Sequence, residues 1–320
     1  MSNLNTSEQD IKISTIIPAF NEEEHIANTI NALKSFAPEG TEIIVVDNGS
    51  TDQTPKIAEE LGAQVIIKTD SSIAGLRNAG VERCSGEILV FIDADVSVTQ
   101  EWGAFFSSQT IHNLKSNPIQ ITGSRCLAPQ NDELLNKHWF SLLTSYEAPY
   151  INSGHLITTR ELFNKINGFS AELKTAEDYD FCMKAKAAGA SLINEPKLPV
   201  IHYGYPNTYE GFIRRERWHG KEDFQSWKSF LSSKVAIAAT GNLLLGLAAI
   251  INSLISASIK PILSYAIVMT VISIALSLYK FDKNKITSLA KTAFVFYLYL
   301  CGRSLSLVDR LRDLFKPANT

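Results

Sequence analysis

The chain has 320 residues, enough for one large domain or two medium ones, and its 33 acidic and 30 basic side chains leave a net charge of -3. That balance, with no basic cluster interleaved with aromatics, disfavours a nucleic-acid partner. Cys84, Cys126, Cys182 and Cys301 are scattered without a CxxC pair, which reads as reduced, mostly buried thiols of a cytosol-facing protein and not a disulfide frame.

The first ten residues are polar and lack the apolar core of a signal peptide, so the part that follows is expected in the cytoplasm. Ile13 to Phe20 reads as a first strand stopped by Pro18, and Asn21 as a helix cap, with Glu22, Glu23 and Glu24 near the positive end of the helix dipole. Glu22 is closest to the strand end and able to face a ligand. Glu42 to Ser50 is a second strand running into Asp47. Asp52 to Leu61 reads as a helix closed by Gly62, Ala63 to Lys68 as a strand, and Ile73 to Cys84 as a helix carrying Arg77 and Asn78.

Glu87 to Asp95 is an unbroken apolar run ending on Asp93-Ala94-Asp95, as expected of a buried strand in a mostly parallel sheet. Four strands alternating with three helices form a βαβ series, which places Asp47 and the Asp93/Asp95 pair at one edge of that sheet. Ligands of open α/β sheets sit at this edge. Two carboxylates two residues apart there suit a hard cation that in turn holds a diphosphate. A solvated acidic turn is the alternative reading of the same residues. There is no GxGxxG after the first strand and no GxxxxGK[ST], so a dinucleotide fold and a P-loop are both disfavoured.

Further on, Ile119 to Arg125 reads as a strand and Asn131 to Tyr146 as an amphipathic, aromatic segment. A helix from Thr175 to Gly189 carries acids in its first turn, which also complement the helix dipole. Leu198 to Tyr203 is a short strand ending at His202. The basic, aromatic helix Arg214 to His219 is expected to run into Trp227 and Phe230, and suits a membrane surface or an anionic acceptor.

Six pieces now stand in order: Ile17-Pro18-Ala19-Phe20-Asn21-Glu22, Val46-Asp47-Asn48-Gly49-Ser50-Thr51-Asp52, Arg77-Asn78-Ala79-Gly80, Asp93-Ala94-Asp95, Asn167-Gly168-Phe169 and Glu177-Asp178. Over roughly residues 11 to 220 the chain resembles the family 2 glycosyltransferases of the GT-A fold. The resemblance implies an α/β nucleotide-diphospho-sugar transferase with a mostly parallel sheet flanked by helices, and an inverting transfer from a nucleotide-sugar donor. By position it assigns Pro18, Glu22 and Asp47 to the nucleoside and Arg77 to the base or diphosphate. Asp93 falls to the ribose or the metal, and Asp95 and His202 to Mg²⁺ or Mn²⁺. Asp178 of the Glu177-Asp178 motif is implied as general base. Processive members carry Gln-x-x-Arg-Trp; here Arg214 stands in place of the Gln before Arg217-Trp218, which favours addition of a single sugar and leaves Arg217 and Trp218 as acceptor or membrane-proximal residues.

The mean hydropathy near zero conceals a split after about Ser233. Val235 to Ala257 is apolar, uncharged and long enough to span a bilayer, and Ile262 to Tyr279 is just long enough. With the enzyme inside, two spans return Lys280, Lys283 and Lys285 to the cytoplasm. A third run, Ile286 to Gly302, is interrupted by Lys291; the tail after it, with Leu305, Val308, Leu311, Leu314 and Phe315 at helical spacing, suits the interface as well as a span.

The expected organisation is a tail over 1–10, a catalytic domain over 11–208, an interfacial helix region over 209–233 and a membrane region over 234–320. The expected activity is metal-dependent sugar transfer to a hydroxyl of a lipid-linked or envelope glycan at the cytoplasmic face of the inner membrane. The rivals are a polyprenyl-phosphate glycosyltransferase and a catalytically silent GT-A membrane scaffold.

Overall fold

The structure, a computed structural model, describes residues 11–143, 149–173, 175–224 and 226–314; the expected tail over 1–10, Thr144 to Tyr146, and Phe315 lie outside them. Along the chain come β1 (Ile13–Ala19), α1 (Ile26–Phe36), β2 (Glu42–Asp47), α2 (Thr54–Glu60), β3 (Gln64–Ile67), α3 (Ile73–Arg83) and β4 (Ile88–Ile92). Then follow β5 (Val96–Val98), α4 (Gln100–Phe105), a π-helical stretch Phe106–Thr110, α5 (Ile111–Ser116), β6 (Gln120–Gly123) and β7 (Cys126–Leu127). A second π-helical stretch, Asn136–Phe140, leads into α6 (Ser141–Leu143), and β8 (His155–Thr159), α7 (Arg160–Lys165), α8 (Glu177–Ala187), β9 (Ser191–Asn194) and β10 (Val200–His202) complete the mixed part. The rest is helical: α9 (Tyr209–His219), α10 (Trp227–Ser232), α11 (Lys234–Ser256), α12 (Lys260–Lys280) and α13 (Leu289–Leu314).

The described residues fall into two compact units, one within Met1–Pro129 and Glu147–Gly204, the other within Gln130–Tyr146 and Tyr205–Thr320. The first is built on a seven-stranded sheet of order β3-β2-β1-β4-β8-β6-β9. β4 lies at its centre, parallel to β1 and antiparallel to β8, and β8 is antiparallel to both neighbours. All five residues of β4 are buried. Alternate side chains serve two cores: Val90 and Ile92 pack with Ile17, Trp102 and Phe106, whereas Leu89 and Phe91 pack with Ile16, Phe169 and Phe181. A strand covered on both faces reads as a continuous apolar run, which is why β4 stands out in the sequence.

Two local expectations are corrected. Pro18 does not stop β1, which pairs with β2 through Pro18 and Ala19; its register with β4 ends at Ile16, so the missing N–H falls where the ladder is one-sided. Asn21 is not a helix cap. It adopts φ 56°, a conformation that Asn tolerates better than most residues, and α1 begins only at Ile26.

In the second unit the basic helix ends at Gly220, and α10 starts afresh at Trp227, capped by Ser226. α11 and α12 are long and apolar enough to cross a membrane, and only 22% and 17% of their most apolar windows are buried. α13 runs unbroken through the charged tail. Its first half packs along α12, with Phe296 against Phe281, Lys280 4.8 Å over the Tyr299 ring, and the Tyr297 and Tyr265 hydroxyls 3.3 Å apart. Its second half meets the start of α11, where Ser304 Oγ donates to the Ala239 carbonyl and accepts from Asn242.

Candidate active site

The turns after β1 and β2 are tied to each other. Asn21 N donates to Ser50 Oγ, Thr51 N to Asn21 Oδ1 and Glu22 N to Thr54 Oγ1, at 2.7–2.8 Å. Asp47 is fully buried at the end of β2, and its carboxylate organises its own loop by accepting from the backbone of Gly49 and Ser50 and from the Ser50 hydroxyl. Pro18 is buried beside it in β1. Glu22 borders a cavity of about 250 Å³ shared with Asp52, His25, Asp95 and Gly204. Burial first, then the charges of Asp95 and Asp93, push its carboxyl up to about 7.

β4 ends at Ile92, and the following turn is held by Val96 N donating to the Asp93 carbonyl and by Thr29 Oγ1 donating to that of Ala94. β5 then pairs antiparallel with β10, matching Val96 with His202. This pairing brings His202 Nε2 within 3.5 Å of Asp95 Oδ2. Burial holds the Asp95 carboxyl above its usual range, opposed by His202 and reinforced by Asp93. A Cβ on Gly204 would collide with the Asp95 carboxylate, and one on Gly154 would come within 2.7 Å of Asp93 Oδ2. The backbone therefore closes tightly on both acids.

Arg77 is 1% exposed. Its Nη2 donates to Asp93 Oδ1 at 2.7 Å and its Nη1 to Glu177 Oε1 at 2.9 Å, so one guanidinium joins the central strand end to the start of α8. Asn78 beside it exchanges two hydrogen bonds with the backbone of Phe169, just past the left-handed Asn167 and Gly168. The Phe169 ring in turn lies under the guanidinium, 5.6 Å away. Arg77 thus sits as a buried strut between two carboxylates.

Asp178 is 8% exposed, accepts from Asn152 Nδ2 at 3.0 Å and from Tyr179 N at 2.7 Å, and is pushed up to about 6 by burial and then by Glu177. Sequence reasoning assigned no role to the loop that organises these acids. Asn152 holds Asp178, Ser153 Oγ donates to Glu177 at 3.3 Å, and the Gly154 carbonyl accepts from Asp93 N at 3.3 Å. His155, next in line, is fully buried between Trp102 Nε1 and Ser124, and burial depresses it to about 3, so it is a neutral pillar beneath the loop. The only sequence signal for this loop is the short polar stretch before an apolar strand.

Among the described residues no three His, Cys, Asp or Glu side chains already form a metal shell. Asp95 and His202 nevertheless fit a divalent cation as partial ligands, because Mg²⁺ and similar ions are commonly held by one or two protein groups plus substrate phosphates. Glu22, Asp52 and Asp95 gather around one cavity at this edge, so carboxylates are concentrated where the cation would sit. Arg217 and Trp218 lie in the other unit, where Arg217 Nε donates to Asp309 Oδ2 at 2.6 Å and Trp218 is 53% exposed.

Fold and site together define an α/β protein of the GT-A kind, with acids gathered at the carboxyl edge of a largely parallel sheet. Residues 14–104 match the family model described as "Glycosyl transferase family 2", and the chain carries a family 2 glycosyltransferase domain. It is similar to the glycosyltransferase AglE of Haloferax volcanii, 26% identical over 67% of this chain and 74% of the relative. It is also similar to the poly(ribitol-phosphate) beta-N-acetylglucosaminyltransferase TarS of Staphylococcus aureus, 28% identical over 67% of this chain and 39% of the relative. Other curated relatives are matched over 26–58% of their length. Among solved structures, a mannosyltransferase from Pyrobaculum calidifontis in complex with GDP-Man and Mn²⁺ shares the fold, with a TM-score of 0.56 at 18% identity over 93% of this chain and 88% of that one.

Proposed function

We propose that this chain is an inverting, metal-assisted glycosyltransferase that moves a sugar from a nucleotide-diphosphate donor to an acceptor hydroxyl of a lipid-linked or envelope glycan. The observation that carries the reading is the buried chain Asp93–Arg77–Glu177, which fixes the strand-end acids relative to Asp178. The relatives' names support sugar transfer, and the fold neighbour's GDP-Man and Mn²⁺ support a nucleotide-sugar donor and a divalent ion.

In this reading Asp95 and His202 hold the cation, with Asp93 fixed beside them by Arg77. A bound Mg²⁺ or Mn²⁺ supplies positive charge where the departing diphosphate gains negative charge. Pro18, Asp47 and the stapled loops around Asn21 and Ser50 form the floor for the nucleoside, with Glu22 at its rim. Asp178 takes the proton of the acceptor hydroxyl as that oxygen attacks the anomeric carbon from the face opposite the leaving diphosphate. Its carboxyl near 6 is largely ionised at neutral pH yet basic enough to accept a proton. Glu177 is committed to Arg77 and Ser153, so it positions.

The membrane part of the reading rests on α11 and α12, whose Leu244, Ile251, Leu254, Ile255, Ile267 and Val271 are exposed. Apolar surface of that extent is costly in water and favourable in lipid. α13, whose second half meets the start of α11, is read as lying at the cytoplasmic interface. The test is a thermal-shift screen of nucleotide sugars in detergent, with and without Mn²⁺. A ligand bound only by the native state raises the midpoint. One nucleotide sugar raising it only with Mn²⁺ is expected; no response to any would leave the silent-scaffold rival standing.

A further inference from the structure

The helical unit holds a cavity of its own. It measures about 380 Å³ and lies between the end of α9 and the end of α13. Arg214, Arg217, Lys221 and Arg312 line it, against two carboxylates, Asp309 and Asp313. Asp309 is engaged by both Nε and Nη2 of Arg217, and Arg214 pairs with Glu210 on its own helix. Lys221 and Arg312 are exposed and face the same cavity. The walls therefore carry an excess of positive charge, with the half-exposed indole of Trp218 at the edge.

The position of this cavity bears on which anion it would meet. Ser306 Oγ donates to the Arg217 carbonyl at 2.7 Å, locking α9 to α13 beside the cavity. Two residues earlier in α13, Ser304 is bonded to Ala239 and Asn242 in the first turns of α11. The basic walls thus stand next to the end at which a 23-residue apolar helix begins. Trp227 and Leu231 of α10, 79% and 68% exposed, lie immediately before that helix. Exposed tryptophans and basic side chains at the end of an apolar helix are the pattern of a bilayer interface.

We propose that the α9–α13 cavity binds the phosphate headgroup of an anionic phospholipid, with Lys221 and Arg312 as its principal contacts and Trp218 at the level of the headgroups. The proposal rests on the reading of α11 and α12 as membrane helices, but not on the sugar-transfer chemistry. Basic side chains near an anionic membrane surface each contribute about fivefold in affinity, so reversing two of them removes well over tenfold.

The experiment uses the full chain in a neutral detergent. Its unfolding midpoint is followed on addition of phosphatidylglycerol, phosphatidylcholine or inorganic phosphate at equal phosphate concentration. Phosphatidylglycerol is expected to raise the midpoint by several degrees and the other two to leave it unchanged. Lys221→Glu/Arg312→Glu should lose that response at an unchanged lipid-free midpoint, whereas Lys56→Glu/Lys115→Glu in the other unit should keep it. Arg312→Gln alone should weaken it about fivefold. An equal response to phosphatidylcholine or to inorganic phosphate, or an undiminished response in both cavity variants, overturns the proposal. If the wild-type chain fails to stay with phosphatidylcholine vesicles on flotation, the membrane reading falls and this proposal with it. Donor binding by the cavity variants is a separate readout, unchanged in either case.

Discussion

Arg77 and Asp93 are joined by a 2.7 Å ion pair in which the guanidinium is almost wholly buried and the carboxylate keeps 30% of its side chain exposed. The arginine spends its other terminal nitrogen on Glu177, a hundred residues further along the chain. A planar fork with fixed donors can span two carboxylates in this way, and a lysine ammonium cannot. The pair thus converts two weakly related stretches of sequence into one rigid edge.

Arg77→Ala should therefore cost about 3 kcal/mol, because it leaves two partly buried carboxylates facing each other without a cation. Arg77→Lys should recover less than half of that. Chemical denaturation followed by far-UV circular dichroism measures both. A lysine variant as stable as wild type would show that the double bridge is not needed.

Asp178 sets a pH limb. If it is the base, turnover should rise between pH 5 and 7 with a midpoint near 6 and level off above. Asn152→Asp, which replaces a donated hydrogen bond by a like charge, should move that limb upward. The stability sign is opposite to that of a salt-bridged acid. The folded-state value, raised from 3.8 to about 6, means that the native state binds the proton more tightly, so this residue's contribution declines as pH rises from about 4 to 6. Relative to wild type, Asp178→Asn should gain stability across that window and stay level outside it. A flat difference across pH 4–7 would remove the buried-carboxylate argument.

Gly204→Ala tests the cation-binding edge without deleting a ligand. The added Cβ lands on the Asp95 carboxylate, and no unusual backbone angle complicates the change. Mn²⁺-dependent donor affinity should fall by at least about tenfold, to within a few-fold of Asp95→Ala, while metal-free stability is nearly kept. Calorimetric titration of a nucleotide sugar with and without Mn²⁺ gives the answer. Unchanged affinity in both variants would dissociate Asp95 from the metal.

How much of this was legible in the sequence depended on whether neighbours along the chain were also neighbours in space. The β1 to β4 alternation was, because each strand is an apolar run ended by turn residues and each helix is local. The acids at the edge followed from it. The pairing of β5 with β10 did not, since three-residue strands carry no periodicity, and with it the route by which His202 reaches Asp95 was hidden. Asn152, Ser153 and Gly154 were invisible as a site because their partners are Asp178, Glu177 and Asp93, each supplied by another element. His155 was likewise silent: nothing local distinguishes a buried neutral histidine from a surface one.

Topology offers a separate check. The loop Lys283–Lys285 follows the second apolar helix, and Lys280 before it is held 4.5 Å over the Trp139 ring. With the catalytic unit in the cytoplasm, a cysteine placed at Asn284 should resist a membrane-impermeant maleimide in intact cells and react after permeabilisation. Ready labelling of intact cells would invert the orientation.

The role proposed for Asp178 is that of base in a transfer to a hydroxyl. Its most direct test is single-turnover transfer of labelled sugar, from the donor found by thermal shift into extracted membrane glycolipid, by Asp178→Asn and wild type at saturating donor. Donor affinity is expected to stay within a few-fold of wild type and the transfer rate to fall by roughly 10²–10⁴-fold. Transfer by Asp178→Asn within a few-fold of wild type would contradict that role and point to an acceptor, such as a lipid phosphate, that needs no base.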